Sequence, residues 1–478
     1  MQQRCLLTPG AVRSWLAVVI LLLSYEVAWC QEYPPNVLFI LADDLGVNAL
    51  GCYGNDWVET PNLDRLAARG VRFTNGYSSD PTCAPSRASI MTGQYVPRHR
   101  IYRVADRFTK QPGWLKAMRY LPPANLRPNG RGVGIDPDQI TLAEAFQAAG
   151  YRTGGFGKWH LGRGESGMGQ QGFGEARETT GHYDFKVHEG RDDRLPGEYN
   201  AHFTTRLGVD FMRRSVAAGQ PFFLFLPYYL VHKPLEPEPA KLRHFQRLYG
   251  EQLAPETINV LAMIGSLDDY VGQVLSALDE LEIADQTVVA FVSDNGHYRT
   301  DDDIFNTPYR GHKGETLEGG IRVPYIFRWP GRIEPGTVDE PALHIDLYPT
   351  LLGLAGKAAP AAQLLDGEDL SPLLLGERES THREQLVWQY TNYGGYNART
   401  ESFRSSWVNV IQRNGWKLTE DVETDTYTLF DLRNDPYETR DLADQYPKRV
   451  NEMREHLEQW KQRTGAVDPR PNPDYLGH

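Results

Sequence analysis

The sequence predicts an α/β fold: a large, mainly parallel sheet sandwiched by helices, with a smaller C-terminal antiparallel sheet plus helix. Three observations carry this expectation. Asn36-Val37-Leu38-Phe39-Ile40-Leu41 and Thr287-Val288-Val289-Ala290-Phe291-Val292 are unbroken apolar runs, the profile of strands buried on both faces. Helical patterns lie between such runs, and strand, helix, strand order argues for parallel pairing. After residue 380 the segments become short, aromatic and β-branched, separated by Gly, Asn and acidic turns.

The first 30 residues stand apart from this fold. Arg4 and Arg13 lead into an apolar run from Trp15 to Leu23, and Ala28-Trp29-Cys30 offers a small residue at the third position before a cut at Gln31. We expect a cleaved secretory signal at 1–30, an α/β domain at 31–380 and an α+β subdomain at 381–478. The apolar run falls short of the roughly 20 residues a membrane anchor needs, so no stable anchor is expected. Bulky Trp29 argues against lipid attachment at Cys30.

Cleavage leaves Cys52 and Cys83 as the mature cysteines, and no Asn-x-Ser/Thr sequon occurs. An exported chain without a disulfide framework points to a bacterial periplasmic or secreted protein. A Cys52–Cys83 disulfide stays open at this point. The composition, 40% hydrophobic and 23% charged, is that of a folded chain and excludes disorder.

The first apolar run ends in Asp43-Asp44. The second ends in Ser293-Asp294-Asn295-Gly296. Any one of these acids reads as a turn cap. Two such groups at the carboxyl ends of two buried strands, where reactive groups of α/β sheets gather, fit a hard cation such as Ca²⁺, with Mg²⁺ second, and fit Zn²⁺ poorly. Three carboxylates brought together also require positive charge among them.

Between the two runs stands Cys83-Ala84-Pro85-Ser86-Arg87, followed by Thr92-Gly93. A cysteine held between small residues and a proline, with an arginine four positions on, is poorly explained by packing. From Arg98 to Arg131 come nine Arg or Lys against the single acid Asp106, in a chain of formal net charge −12. Tyr102, Phe108, Trp114 and Tyr120 are interleaved with them. No nucleic-acid-binding motif accompanies this patch, so a nucleic-acid partner is not expected. It reads either as a solvated loop or as subsites in which aromatic faces and Arg meet an anionic ligand.

Thr141 and Glu144 form a capping box that opens a helix to Ala149. A strand then leads to Gly157-Lys158-Trp159-His160, whose Lys158 and His160, two apart, are expected to point to the same side. The apolar run Pro221 to Pro227 leads to His232-Lys233-Pro234. An amphipathic helix spans about Pro255 to Leu281. Beyond the second acidic group, Gly311-His312-Lys313-Gly314 is rich in glycines that let backbone approach a ligand closely. The C-terminal strands are expected at 386–390, 407–412, 416–419 and 427–431, with a helix over 447–463.

Together these motifs resemble the formylglycine-dependent sulfatase family of the alkaline-phosphatase-like fold. The match runs from Asn36 to Pro447 and carries the C-x-P-S-R-x-x-x-x-T-G signature at Cys83. It also includes Gly150-Tyr151-x-Thr153 and Leu432-x-Asn434-Asp435-Pro436-x-Glu438. The resemblance implies a sulfuric ester hydrolase in which Cys83 is oxidised to formylglycine by a formylglycine-generating or anaerobic maturation enzyme.

It further implies that Asp43, Asp44, Asp294 and Asn295 hold Ca²⁺ together with residue 83. Arg87 and Lys158 would fix the hydrated aldehyde, and Lys313 and His232, with Lys158, would grip the sulfate. One hydroxyl of the hydrate would attack sulfur; the other would later expel sulfate, with His160 as base and either His232 or Lys313 protonating the leaving oxygen. The expected substrate is a sulfated carbohydrate. Two alternatives stand: a phosphonate monoester or phosphodiester hydrolase of the same fold, or a non-catalytic binder of sulfated glycans.

Overall fold

The structure is a computed structural model that describes residues 34–104, 112–125, 134–397, 399–400 and 402–476. The expected signal segment at 1–30 lies outside the described residues, as do 105–111 and 126–131 of the basic segment, with Arg107 and Phe108. Among the described residues no helix is long and apolar enough to cross a membrane.

The two apolar runs form strands β1 (Asn36–Ala42) and, further along the chain, Thr287–Ser293, and every residue of both is buried. Between β1 and that strand the chain adds β2 (Val71–Phe73), β3 (Arg152–Gly157), β4 (Glu175–Thr180), β5 (Lys186–Val187) and β6 (Phe222–Pro227). Thr287–Ser293 is therefore β7, followed by β8 (Tyr325–Arg328) and β9 (Gly336–Val338). These nine form one sheet in the order β9-β2-β8-β7-β1-β6-β3-β4-β5. The centre is parallel: β1 pairs with β6 and β7, and β3 with β6 and β4. Antiparallel β8 lies between β7 and β2.

Burial of both sheet faces explains the unbroken apolar runs. Leu38 and Ile40 of β1 face one core with Leu224, Phe291 and the long helix Pro255–Glu280. Val37, Phe39 and Leu41 face the other, with helices α1 (Cys83–Thr92), α2 (Leu142–Ala148) and His344–Leu354. The capping box is present: Thr141 Oγ1 accepts from Glu144 N–H at 3.2 Å and the Glu144 carboxylate accepts from Thr141 N–H at 2.7 Å. Such a cap contributes about 1 kcal/mol to its helix.

Strand register brings the acids together. Leu41 is level with Pro227 on one side and Val292 on the other, and Ala42 is level with Ser293. The strands therefore end together, and Asp43 and Asp294 emerge side by side.

The C-terminal strands are Gln385–Tyr390, Val408–Arg413, Trp416–Asp421 and Thr426–Asp431, an antiparallel meander. Helix Pro447–Thr464 covers it through Val450, Met453, Leu457 and Trp460, and Tyr77, Ile321, Leu343 and Ile345 of the main layer join the same core.

Part of the basic segment packs against protein. Trp114 packs against Tyr396 and Phe403 at 5.9 and 5.7 Å between ring centroids, Tyr120 lies 6.4 Å from Trp407, and Tyr102 is buried. Arg119 donates to the Glu423 carbonyl at 2.6 Å. These side chains join residues 114–121 to the 393–423 region, because apolar ring area is more stable against protein than against water.

Candidate active site

The spacing inside the cysteine motif becomes intelligible on α1. Cys83 is the first helical residue, where Pro85 is tolerated because first-turn N–H groups lack helical partners anyway. Ser86 Oγ donates to the Asp80 carbonyl at 2.7 Å, and the Asp80 carboxylate accepts from Thr82 N–H at 2.9 Å, which fixes the turn entering the helix. Arg87, four residues on, lies on the face of Cys83. Gly93 ends the helix with φ +67, and a Cβ there would stand 2.5 Å from Leu365.

Cys83 Sγ lies 3.4 Å from Asp43 Oδ1, 3.7 Å from Asp44 Oδ1 and 3.2 Å from Lys313 Nζ. Cys52 and Cys83 are both free, so no disulfide joins them. Arg87 Nε pairs with Asp294 Oδ2 at 2.8 Å, its Nη2 stands 3.7 Å from Asp43, and its Nη1 donates to the Lys158 carbonyl. Lys158 pairs with Asp43 and sits 5.1 Å from the centre of the Tyr229 ring. Lys313 Nζ bridges both oxygens of Asp44 at 2.6 and 2.8 Å. The three acids are thus matched by three cations.

Ligand atoms of Asp43, Asp44, Cys83 and His232 fall within 4.8 Å of one another. Asn295 Oδ1 is buried without a hydrogen-bond partner, while its Nδ2 donates to Asp44 Oδ1 at 2.8 Å. Three carboxylates plus an orphaned amide oxygen fit a hard divalent cation. His232 stands beside the acids, with Nε2 3.8 Å from Asp44 Oδ2. Its Nδ1 donates to the Lys233 carbonyl at 2.5 Å, so in the neutral ring Nε2 presents a lone pair to the site.

The local field sets the protonation states. Burial raises the Asp44 carboxyl, but Lys313, His232 and Lys158 together outweigh it and hold it well below the usual carboxylate range. Burial and the Asp294 carboxylate push the Cys83 thiol well above its ordinary value. Burial, then Lys158, lowers His232 to about 4. Burial and the nearby Lys158, Arg87 and Lys313 charges hold His160 well below its ordinary 6.5. Burial opposes the charge on Lys313, yet Asp44 and Cys83 raise it well above 10.5.

All the expected site residues gather at the carboxyl ends of β1, β3, β6 and β7, but one reason given for them needs correction. Strand β3 stops at Gly157, so strand alternation does not bring Lys158 and His160 together. The chain turns instead: Lys158 N–H donates to the Pro227 carbonyl at 2.8 Å and His160 adopts φ +66. His160 keeps a buried Nδ1 without a partner.

Two residues escaped sequence reasoning. His297 Nδ1 donates to the Asp44 carbonyl at 2.6 Å, and its own carbonyl accepts from Lys313 N–H at 2.9 Å, so it ties two parts of the site together. His182 Nε2 donates to the His232 carbonyl at 2.8 Å. A histidine two residues after Asn295 was the available signal for the first. None marked the second.

Comparison with known proteins agrees with this geometry. Residues 35–357 match the Sulfatase family, and residues 313–463 match the family described as N-sulphoglucosamine sulphohydrolase, C-terminal. The chain belongs to the sulfatase family.

Sulfatases of known name are similar to it along most of their length. N-acetylgalactosamine-6-sulfatase of Canis lupus familiaris is 32% identical over 435 residues, covering 84% of this chain and 78% of the relative. Arylsulfatase A of Homo sapiens is 33% identical over 437 residues, covering 83% and 78%. Among solved structures, Ps i-CgsB in complex with k-i-k-neocarrahexaose superposes with a TM-score of 0.75 at 26% identity, covering 89% of this chain and 92% of that one. As a sulfatase this chain is a sulfuric ester hydrolase. The family uses a metal and formylglycine, and Asp43, Asp44, Cys83 and His232 form a site of the matching kind.

Proposed function

We propose that this protein is an exported, Ca²⁺-dependent sulfatase that releases inorganic sulfate from a sulfated carbohydrate, with formylglycine at position 83. One observation carries the nucleophile assignment. Cys83, first residue of the C-x-P-S-R helix, stands at the focus of the ion cluster, with Sγ 3.2 Å from Lys313 Nζ and 3.4 and 3.7 Å from Asp43 and Asp44. A group so placed among cations and carboxylates is where the reacting oxygen would stand once a maturation enzyme has replaced sulfur by oxygen. Sγ then marks where the oxygens of the hydrated aldehyde lie.

Bound Ca²⁺, held by Asp43, Asp44, Asp294 and Asn295 with residue 83, would supply positive charge for the oxygens of the reacting ester. The remaining roles belong to the chain. Lys313, 3.2 Å from Sγ, is placed to donate to the nucleophilic group or to a sulfate oxygen. Of the two candidates for protonating the leaving alcohol, Lys313 carries a proton at neutral pH, whereas His232 offers a lone pair. Neutral His160, with an unpartnered Nδ1, suits the base that accepts a proton when sulfate departs. Arg87 and Lys158 hold Asp294 and Asp43 in place and offset their charge.

The carbohydrate assignment is supported by the likeness to an N-acetylgalactosamine-6-sulfatase and to a protein solved in complex with k-i-k-neocarrahexaose. Export to the bacterial periplasm or beyond is supported by the N-terminal sequence and by the two unpaired cysteines. The test is a sulfate-release screen on sulfated mono- and polysaccharides beside matched phosphate esters, using protein co-expressed with a maturation enzyme. Mass spectrometry of the residue-83 peptide should show sulfur lost and oxygen gained. Faster hydrolysis of the phosphate esters, or glycan binding without sulfate release by converted protein, would replace this reading with one of its alternatives.

A further inference from the structure

Lys313 sits in a segment with little structure of its own. Gly311 and Gly314 take φ +89 and +83, and no helix or strand holds residues 309–317. Its ammonium must nonetheless keep two contacts with Asp44 and one with Cys83. The main layer fixes one side of it, through His297 on Lys313 N–H and through the Pro81 carbonyl, which accepts from Gly314 N–H at 2.8 Å.

The other side is fixed from the C-terminal region. Arg404 Nη2 donates to the Lys313 carbonyl at 2.9 Å, and its Nε lies 3.4 Å from Glu315 Oε1. A few residues on, Glu318 begins a short helical turn, and its N–H donates to Glu438 Oε2 at 2.8 Å. Lys417 then pairs with Glu318 at 3.0 Å and with Glu438 at 2.8 Å, and all three side chains are completely buried. Glu438 is the last residue of the Leu432-x-Asn434-Asp435-Pro436-x-Glu438 motif, to which the proposed chemistry assigns nothing.

We infer that Arg404 and the Lys417–Glu438 pair are positioning residues for the sulfatase reaction: the C-terminal sheet completes the active site by holding the Lys313 loop in its reacting geometry. This rests on the role proposed for Lys313. Arg404 touches no reacting atom; it acts through the Lys313 backbone. Errors of about 1 Å in such a group cost as much as ~100-fold in rate, which is the reason to anchor a glycine-rich loop at both ends.

Arg404 is the informative position, since its side chain is 39% exposed and its removal leaves the core intact. The test measures kcat and KM of matured Arg404→Ala, Arg404→Lys, Glu438→Gln, Lys313→Ala and the double variants with Lys313→Ala, each on a small aryl sulfate and on a sulfated oligosaccharide, with thermal melts alongside. We expect Arg404→Ala to lose about 10- to 100-fold in kcat/KM on both substrates, with Arg404→Lys recovering part of it. In the Lys313→Ala background neither Arg404→Ala nor Glu438→Gln should cost anything further, because the group they position is gone.

Losses that add to that of Lys313→Ala overturn the inference and leave the site assignment standing. So does a loss confined to the oligosaccharide, which would make Arg404 a direct substrate contact. Wild-type activity in Lys313→Ala would instead overturn the role proposed for Lys313, and this inference with it. If Glu438→Gln does not fold, the Arg404 series decides alone.

Discussion

Two of the buried ion clusters among the described residues are built to opposite ends. Around Cys83, three carboxylates (Asp43, Asp44, Asp294) face three cations (Arg87, Lys158, Lys313). Where the C-terminal sheet meets the main layer, Glu318 and Glu438 share Lys417, while Gln412 and the Tyr77 hydroxyl complete the shell of Glu318 at 2.8 and 2.9 Å. The second cluster is nearly closed: Glu438 Oε1 lacks a hydrogen bond, but the Lys417 ammonium lies 2.8 Å from it. The first leaves Asn295 Oδ1, Arg87 Nη2, His160 Nδ1 and His297 Nε2 buried without partners. Charge density alone does not separate a site from a strut; unspent hydrogen-bonding capacity does, because an unmatched buried polar group is costly unless something else binds it.

The sharpest way to break this contrast is to exchange effects between the clusters. Cys83→Ala should remove activity by roughly 10⁴- to 10⁶-fold, as loss of a catalytic nucleophile does, while shifting the melting temperature little. Lys417→Met should do the reverse in kind: removing one partner of a buried pair costs about 3–5 kcal/mol of stability. Kinetics and thermal melts on both variants decide it. A Lys417→Met protein as stable as the wild type would mean that the closed cluster is no strut.

Metal removal should distinguish the clusters next. A cation present at about 100 times its Kd adds roughly 2.7 kcal/mol to the folded state, so chelation should lower the melting temperature and abolish activity. Asp294→Asn should weaken or erase that response, whereas Glu438→Gln should leave the metal-dependent increment intact. Equal melting curves with and without chelator in the wild-type protein would contradict a divalent ion at Asp43, Asp44, Asp294 and Asn295.

Much of the first cluster could be read from the sequence, and little of the second. Apolar runs ending in acids announce β1 and β7 because a strand covered on both faces cannot alternate, and the parallel register then brings Asp43 beside Asp294. The Cys83 motif was legible through its resemblance to the sulfatase signature, and the helix it opens then shows why Arg87 stands four residues on. His297 was not, since its work depends on a backbone carbonyl 253 residues away. Lys417 was equally hidden: in sequence it is a strand lysine beside Trp416, and only tertiary packing shows it at 0% exposure between two glutamates. Trp114 and Tyr120 were open to a sugar-stacking reading for the same reason, their ring partners lying nearly 300 residues further along.

The smallest expected effect concerns the loop between the two clusters. His312 is buried, with Nε2 2.7 Å from Asp303 Oδ1 and Nδ1 3.3 Å from Glu315. Burial alone would lower its pKa, yet the bonds to Asp303 and Glu315 win and raise it above 6.5. A histidine whose pKa is raised on folding stabilises the fold fully below its unfolded value, and that contribution disappears as pH climbs through the raised value. The contribution of His312 should therefore decline from pH 6.5 upward, by about 1 kcal/mol or less because Asp303 is half exposed to solvent. Lys417, raised above its ordinary 10.5, stays charged across the same window and adds no slope. The melting-temperature advantage of the wild type over His312→Gln, which retains hydrogen-bonding capacity without the titration, should shrink as pH rises from 6 to 9, the lowered histidines such as His232 and His160 contributing equally to both proteins. Since Glu315 also faces Arg404, a parallel decline of kcat/KM would tie the protonation of His312 to the seating of Lys313, whereas a stability slope without a kinetic one would confine His312 to holding the loop.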